Sequence, residues 1–425
     1  MKILQNKFIK NISLLVGGTA IGQIIAVITL PLLTRLYSPD SFSILAVYVA
    51  ALTLISVISC LCFEYAIPLP KNKVTAAALV VLSLISVIVI TLLVCVIIMF
   101  FPSWINSLTE NKINEFLWLL PLGVFAIGLY NALQYWNTRE KNFTLISKTR
   151  ITQSLSGTLV KLGVGAVSSG WPGGLVIGQL IAQSAGFFSF ISVLLKNDLH
   201  IFRKVKSKHL RLAVKRYEKF PKFTTLEVFA NAAGIQLPML LIAYYAVGAE
   251  AGFLMIAMQL LSAPMGMISG AVAQVYLADA ADKHHQGQLS GFTKKIILNL
   301  LKVSIAPLSL VLLCAPILTP YVLGDNWART GVLICWMVPW FLMQFITSPV
   351  STSLYITNNQ QLAFFLQLFG LVLRVGCVWL AGVFANQYIA EFYAVSGLIF
   401  YLIYLLVVLK VLKNIDYKEV SNNDN

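Results

Sequence analysis

The chain has 425 residues, of which 58% are hydrophobic and only 11% charged, with a mean hydropathy of +0.83. A soluble domain carries roughly 25% charged residues, so the polar material needed to cover a water-exposed surface is missing and a soluble globular fold is excluded. The net charge of +15 would suit a nucleic-acid partner only if it were clustered on one surface, and its distribution along the chain speaks against that.

Apolar runs of about 20 residues, each able to cross a ~30 Å hydrocarbon core as a helix, recur along the whole sequence. They predict crossings at 12–34, 42–62, 74–101, 116–137, 151–168, 174–195, 226–247, 251–278, 295–323, 330–356, 361–384 and 388–412. The first run follows Lys2, Lys7 and Lys10 but is longer than a signal-peptide core and has no small-residue cleavage site after it, so it is read as a retained helix. Between helices 1 and 2, Ser38 is placed to cap helix 2, with Pro39 at its first position and Asp40 in its first turn.

With alternate segments assigned to alternate sides, twenty-five of the 31 Lys and Arg residues fall on the side of the N-terminus. That is the positive-inside pattern, which places both termini in the cytoplasm and makes the helix count even. The basicity therefore reports topology, and no nucleic-acid partner is expected.

The expected fold class is an all-α integral membrane protein of about twelve transmembrane helices in two six-helix lobes. Residues 1–200 form the N-terminal lobe, 201–225 a basic cytoplasmic linker, 226–412 the C-terminal lobe and 413–425 a cytoplasmic tail. In the linker, Leu210, Ala213, Val214, Tyr217 and Phe220 recur at helical spacing among Lys208, Arg211, Lys215, Arg216 and Lys219. This fits either an amphipathic helix on the anionic leaflet or a solvated basic loop. Faint correspondences relate the halves: Leu30-Pro31 with Leu237-Pro238, Tyr135 to Thr138 with Tyr355 to Asn358, and Gln153 with Lys161 against Gln367 with Arg374. Duplication of a six-helix unit is a common transporter plan.

An ionisable side chain at a helix centre costs about 2.5–3.5 kcal/mol on insertion scales, so it marks a cavity or a partner. Lys161 lies eleven residues past Arg150, about 16 Å along a helix. It shares a face with Gln153, Gly157 and Gly165 that suits either a cavity wall or close helix packing. Arg374 shares a stripe with Gln367 and Gly370. Lys302 is seven residues past Lys295, within reach of an interface by snorkelling. No Asp or Glu lies near the middle of any predicted helix, which leaves a net positive interior suited to an anionic substrate. At an effective dielectric near 20, a cation–phosphate contact at 4 Å is worth about 4 kcal/mol before desolvation, comparable with the insertion cost. Gln23 on helix 1 is a further inward polar candidate. The six cysteines sit in predicted helices and are expected as free thiols, and no motif calls for a metal or other cofactor.

The run Gly18-Thr19-Ala20-Ile21-Gly22-Gln23, followed by Arg35-Leu36-Tyr37-Ser38-Pro39 and Phe42, resembles the opening of the Wzx polysaccharide flippases. These belong to the multidrug/oligosaccharidyl-lipid/polysaccharide exporter superfamily. Glu64 to Lys71, Tyr135 to Arg139 and Arg150 to Ser154 are similar to the same family. Two positions depart from it: Cys62 stands where an arginine is common and Ser43 where a glycine is common. The resemblance implies no enzyme. It implies a flippase that moves an undecaprenyl-pyrophosphate-linked oligosaccharide across a bacterial inner membrane by alternating access through a cationic central cavity. Lys161 and Arg374, with Lys302 and Arg35, would then engage the pyrophosphate, and Gln23, Gln153 and Gln367 the sugars. Membrane lipids, a polymerase and chain-length proteins of the same pathway are the implied partners. A cation-coupled drug antiporter of the superfamily and a membrane-embedded polymerase or ligase are the rival readings.

Overall fold

The computed structural model describes residues 17–246, 248–357 and 359–423. The start of the first predicted crossing at 12–16, the lysines before it, and Asn358 lie outside the described residues. Among the described residues every regular element is helical, and twelve helices are long. They are α1 (Gly17–Leu36), α2 (Pro39–Ser59), α3 (Lys73–Phe100), α4 (Leu119–Arg139), α5 (Phe143–Val167) and α6 (Gly173–Asn197). Then follow α7 (Thr225–Tyr245), α8 (Glu250–His285), α9 (Leu289–Leu323), α10 (Ala328–Val350), α11 (Gln360–Phe384) and α12 (Ile389–Asn423). The protein is thus a multi-pass membrane protein, with ten helices each long and apolar enough to cross a bilayer by itself. The two long helices outside that set are α4, with Asn131, Gln134 and Asn137, and α5, with Lys148, Arg150, Gln153 and Lys161.

Local chemistry sets the helix ends. The Ser38 hydroxyl accepts from the Ser41 N–H at 3.2 Å, with Pro39 and Asp40 in the first turn of α2 as expected. Asn72 caps α3 by accepting from the Val74 N–H at 2.8 Å. In α1 the helix loosens at Thr29, just before Pro31, whose missing N–H breaks the ladder, and Thr29 turns its hydroxyl onto the Ile25 carbonyl at 2.8 Å.

The chain divides into two compact units, the first ending at Tyr244 and the second beginning at Tyr245. That division falls later than 226, the boundary drawn from the sequence. Most of α7 belongs to the first unit, where the Lys112 ammonium donates to the Ala243 carbonyl. In the same unit the linker forms a helix at Ser207–Arg216. Its Ala213 is buried, with Leu210, Tyr217 and Phe220 beside it, against Ala76 to Val80 of α3 and Trp136 of α4. Lys208, Arg211, Lys215 and Arg216 stay exposed.

In the second unit, Arg329 at the start of α10 is held by two carboxylates. Its Nη2 donates to Glu250 Oε1 and to Glu391 Oε1, each at 2.6 Å. Glu250 opens α8 and Glu391 lies in the first turn of α12, where a negative charge also suits the helix dipole. One guanidinium therefore pins three helix starts together.

Candidate functional site

The first unit gathers a polar seam from α1, α5 and α6. α5 begins at Phe143 rather than near 151, so Arg150 sits seven residues, about 10 Å, inside the helix instead of at its mouth. There the guanidinium donates to the Thr19 hydroxyl of α1. One turn on, the Ser154 hydroxyl donates to the Gly22 carbonyl at 2.7 Å. Gln23, on the same helix, has a buried side-chain oxygen with no hydrogen-bond partner among the described residues.

Further along α5, Gln153 approaches the Gln183 carbonyl of α6 at 3.5 Å. The Lys161 ammonium donates to Gln179 Oε1 at 2.9 Å, and Tyr37 OH donates to the Lys161 carbonyl at 2.6 Å. With α5 running from 143 to 167, Lys161 lies about 9 Å beyond the helix midpoint, toward the α5–α6 connection. Arg150 lies about 7 Å on the other side of it.

Close packing builds this seam. A Cβ at Gly157 would come within 2.5 Å of the Ala182 Cβ, and one at Gly165 within 2.7 Å of the Tyr37 ring. Gly178 leaves room for the stem of Lys161 itself. The small residues of α5 thus let α6 and Tyr37 approach, while Leu159 on the opposite face is 66% exposed. Among the described residues, neither Arg150 nor Lys161 forms an ion pair with a carboxylate. Their partners are neutral amides and hydroxyls, so the seam carries two positive charges that an anion can neutralise.

Sequence reasoning placed Arg150 at the membrane edge and passed over Gln179 and Gln183. Their i, i+4 spacing in an otherwise apolar helix was the available signal.

The remaining candidates fall elsewhere. Arg35, in the last turn of α1, is exposed. Arg374, Gln367 and Lys302 belong to the second unit. Arg374 is only 4% exposed, with its guanidinium carbon 4.3 Å from the centre of the Phe400 ring and 5.8 Å from that of Tyr401. It lies inside the packing of α11 on α12, and a cation stacked in this way gains about 2 kcal/mol when desolvated. Gln367 is half-buried. Lys302 is exposed, on a helix of 35 residues. The neighbouring α10 has 23 residues, about the thickness of the hydrocarbon core. α9 is thus long enough to extend beyond the hydrocarbon core.

A second polar feature lies at the foot of α2. Leu61 and Cys62 both adopt left-handed backbone, with φ of 50° and 55°, a conformation that costs L-residues roughly 1–2 kcal/mol each. They lead into a short helical turn, Phe63–Ala66, in which Glu64 is 4% exposed and its Oε2 has no hydrogen-bond partner among the described residues. Burial pushes the Glu64 carboxyl up to about 7. The six cysteines are free thiols.

A profile of polysaccharide biosynthesis proteins matches residues 32–332. No curated protein matches the chain in sequence. Among solved structures, the chain is similar to the inward-facing conformation of a multidrug resistance MATE family transporter of the MOP superfamily, with a TM-score of 0.72, 12% identity, and 95% of each chain covered. The inward closed conformation of the lipid II flippase MurJ gives a TM-score of 0.69 at 15% identity, covering 97% of this chain and 91% of that one. A MATE structure in complex with MaL6 gives 0.59 at 14% identity, with 96% and 97% covered. The resemblance to Wzx-type polysaccharide flippases is borne out: the chain has the transporter fold of that superfamily and belongs to the polysaccharide biosynthesis protein family.

Proposed function

We propose that this protein is a flippase for an undecaprenyl-pyrophosphate-linked oligosaccharide, working by alternating access in the bacterial inner membrane with both termini in the cytoplasm. The observation that carries this reading is the seam on α5, where Arg150 and Lys161 lie within about 9 Å of the helix centre, held among the described residues by neutral groups. A pyrophosphate entering a cationic cavity there offsets the cost of keeping these charges in the membrane. Gln153, Gln179, Gln183 and Gln23 supply amides for the adjoining sugar. The polyprenyl tail stays among membrane lipids, and the polymerase and chain-length proteins of the pathway receive the product. Arg374 has a different part in this reading, holding α11 on α12.

A cation-coupled multidrug antiporter is compatible with the fold alone. It requires a carboxylate among the seam residues, and the seam has none among the described residues.

The test is export of surface polysaccharide in a host whose own copy of this protein is deleted. Lys161→Ala and Arg150→Ala, present in the membrane at the wild-type level, are expected to lower surface polysaccharide at least tenfold, a transition-state loss of about 1.4 kcal/mol or more. Lipid-linked oligosaccharide should accumulate on the inner leaflet, and Lys161→Arg should retain part of the activity. Normal surface polysaccharide in both alanine variants rejects the proposal.

A further inference from the structure

Within the second unit, α8 and α10 line a half-open cavity of about 250 Å³ that the cationic seam does not use. On α8 it is lined by Ser262, Gly266, Ser269 and Gly270, and on α10 by Phe341 and Gln344. The spacing explains the shared wall. Positions 262, 266, 269 and 270 fall on one face of α8, and 341 and 344 on one face of α10.

Three features define what fits. First, Ser269, one of the lining residues, is 92% buried, its exposure being 8%, and its buried hydroxyl has no hydrogen-bond partner among the described residues. A serine inside a helix ordinarily turns its hydroxyl onto the carbonyl one turn back, as Ser304 does at 2.7 Å. At Ser269 that bond is not made, and the hydroxyl is left for a ligand. Second, no heavy atom lies within 4 Å of a Cβ built on Gly266 or Gly270, so the α8 wall is open where the cavity is. Third, the lining combines serine residues and one amide with two phenylalanines, Met265 and Ala273, and has no Lys, Arg, Asp or Glu. An acyl chain would leave the hydroxyl and the amide unpaired, and a phosphate would find no counter-charge. A pyranose ring satisfies both demands, with hydroxyls toward Ser269 and Gln344 and its C–H face against Phe341.

We infer that this cavity is a subsite for one neutral sugar residue of the transported glycan. The inference rests on the flippase reading and adds where an uncharged pyranose of the cargo is held. Discrimination between glycans then resides partly in α8 and α10.

The test uses full-length protein in lipid nanodiscs and two probes. One is sugar-free undecaprenyl pyrophosphate. The other is the undecaprenyl-pyrophosphate-linked oligosaccharide extracted from host cells lacking this protein. Wild type is expected to bind the glycan-bearing probe about tenfold tighter than the sugar-free one. Gly270→Leu, which fills open space, should reduce that ratio to within about twofold while leaving affinity for the sugar-free lipid unchanged. Ser269→Ala, which keeps the packing, should reduce the ratio about threefold. A ratio unchanged in both variants, or equal binding of the two probes by wild type, overturns the sugar subsite while the flippase reading stands. Failure of wild type to bind either probe overturns the flippase reading, and the subsite with it.

Discussion

Lys161 and Arg374 looked alike in the sequence, each a cation beside a glutamine on a helix of the same rank in its half. Their surroundings separate them. Lys161 meets the Gln179 amide, whereas Arg374 is stacked on the Phe400 ring inside its own unit. Arg374→Ala is therefore expected to act through stability, costing about 2 kcal/mol or more from the lost stacking and the space left behind. Thermal unfolding in detergent should show a lowered midpoint, and polysaccharide export should fall only in proportion to the amount of folded protein. Glu64 gives a prediction with a sign. Its carboxyl is protonated up to about pH 7 in the folded protein, whereas an unfolded carboxyl ionises near 4.3. Between those values the folded state binds the extra proton, so stability falls as pH rises through the window. Glu64→Gln should flatten the pH dependence between about 4.5 and 7 and raise stability at neutral pH by roughly 3 kcal/mol. An unchanged melting profile across that range rules out this role for burial.

At the scale of elements, the starts of α8, α10 and α12 depend on one arginine. Arg329→Met leaves Glu250 and Glu391 facing each other without a counter-charge. Because the arginine side chain is 30% exposed, the penalty is set below that of a fully buried pair, at about 2 kcal/mol. Adding Glu391→Gln should restore much of the lost melting temperature, since it removes the repulsion. Failure of the second substitution to restore any of it would show that the three helix starts are not coupled through charge. The start of α5 was the least legible helix start. Its predicted span began at 151 because Lys148 and Arg150 end an apolar run. The helix nevertheless starts at Phe143, since Thr19 of α1 takes up the guanidinium inside the fold. Polar helices of this kind escape hydropathy counting for the same reason that makes them candidates for function: their polar groups are satisfied by neighbouring helices.

For the whole molecule, the charge asymmetry predicts that both termini face the cytoplasm. A fluorescent protein fused to the C-terminus should be fluorescent, and alkaline phosphatase fused there inactive. The reverse pair of results would invert the topology and place the Arg329 cluster on the opposite side. The sequence by itself determined the solvent, because a chain with 11% charged residues cannot clothe a soluble core. It also determined the crossings to within a few residues at most of their ends, the caps at Ser38 and Pro39, and the family resemblance carried by the first third of the chain. Only the tertiary structure decided which deep cation meets an amide and which meets an aromatic ring, and that Ser269 joins a cavity wall with its hydroxyl unpartnered among the described residues. Hydropathy and spacing act along a single helix and are readable one residue at a time. A partner across a helix interface is set by how two helices pack, and that is not written in either one alone.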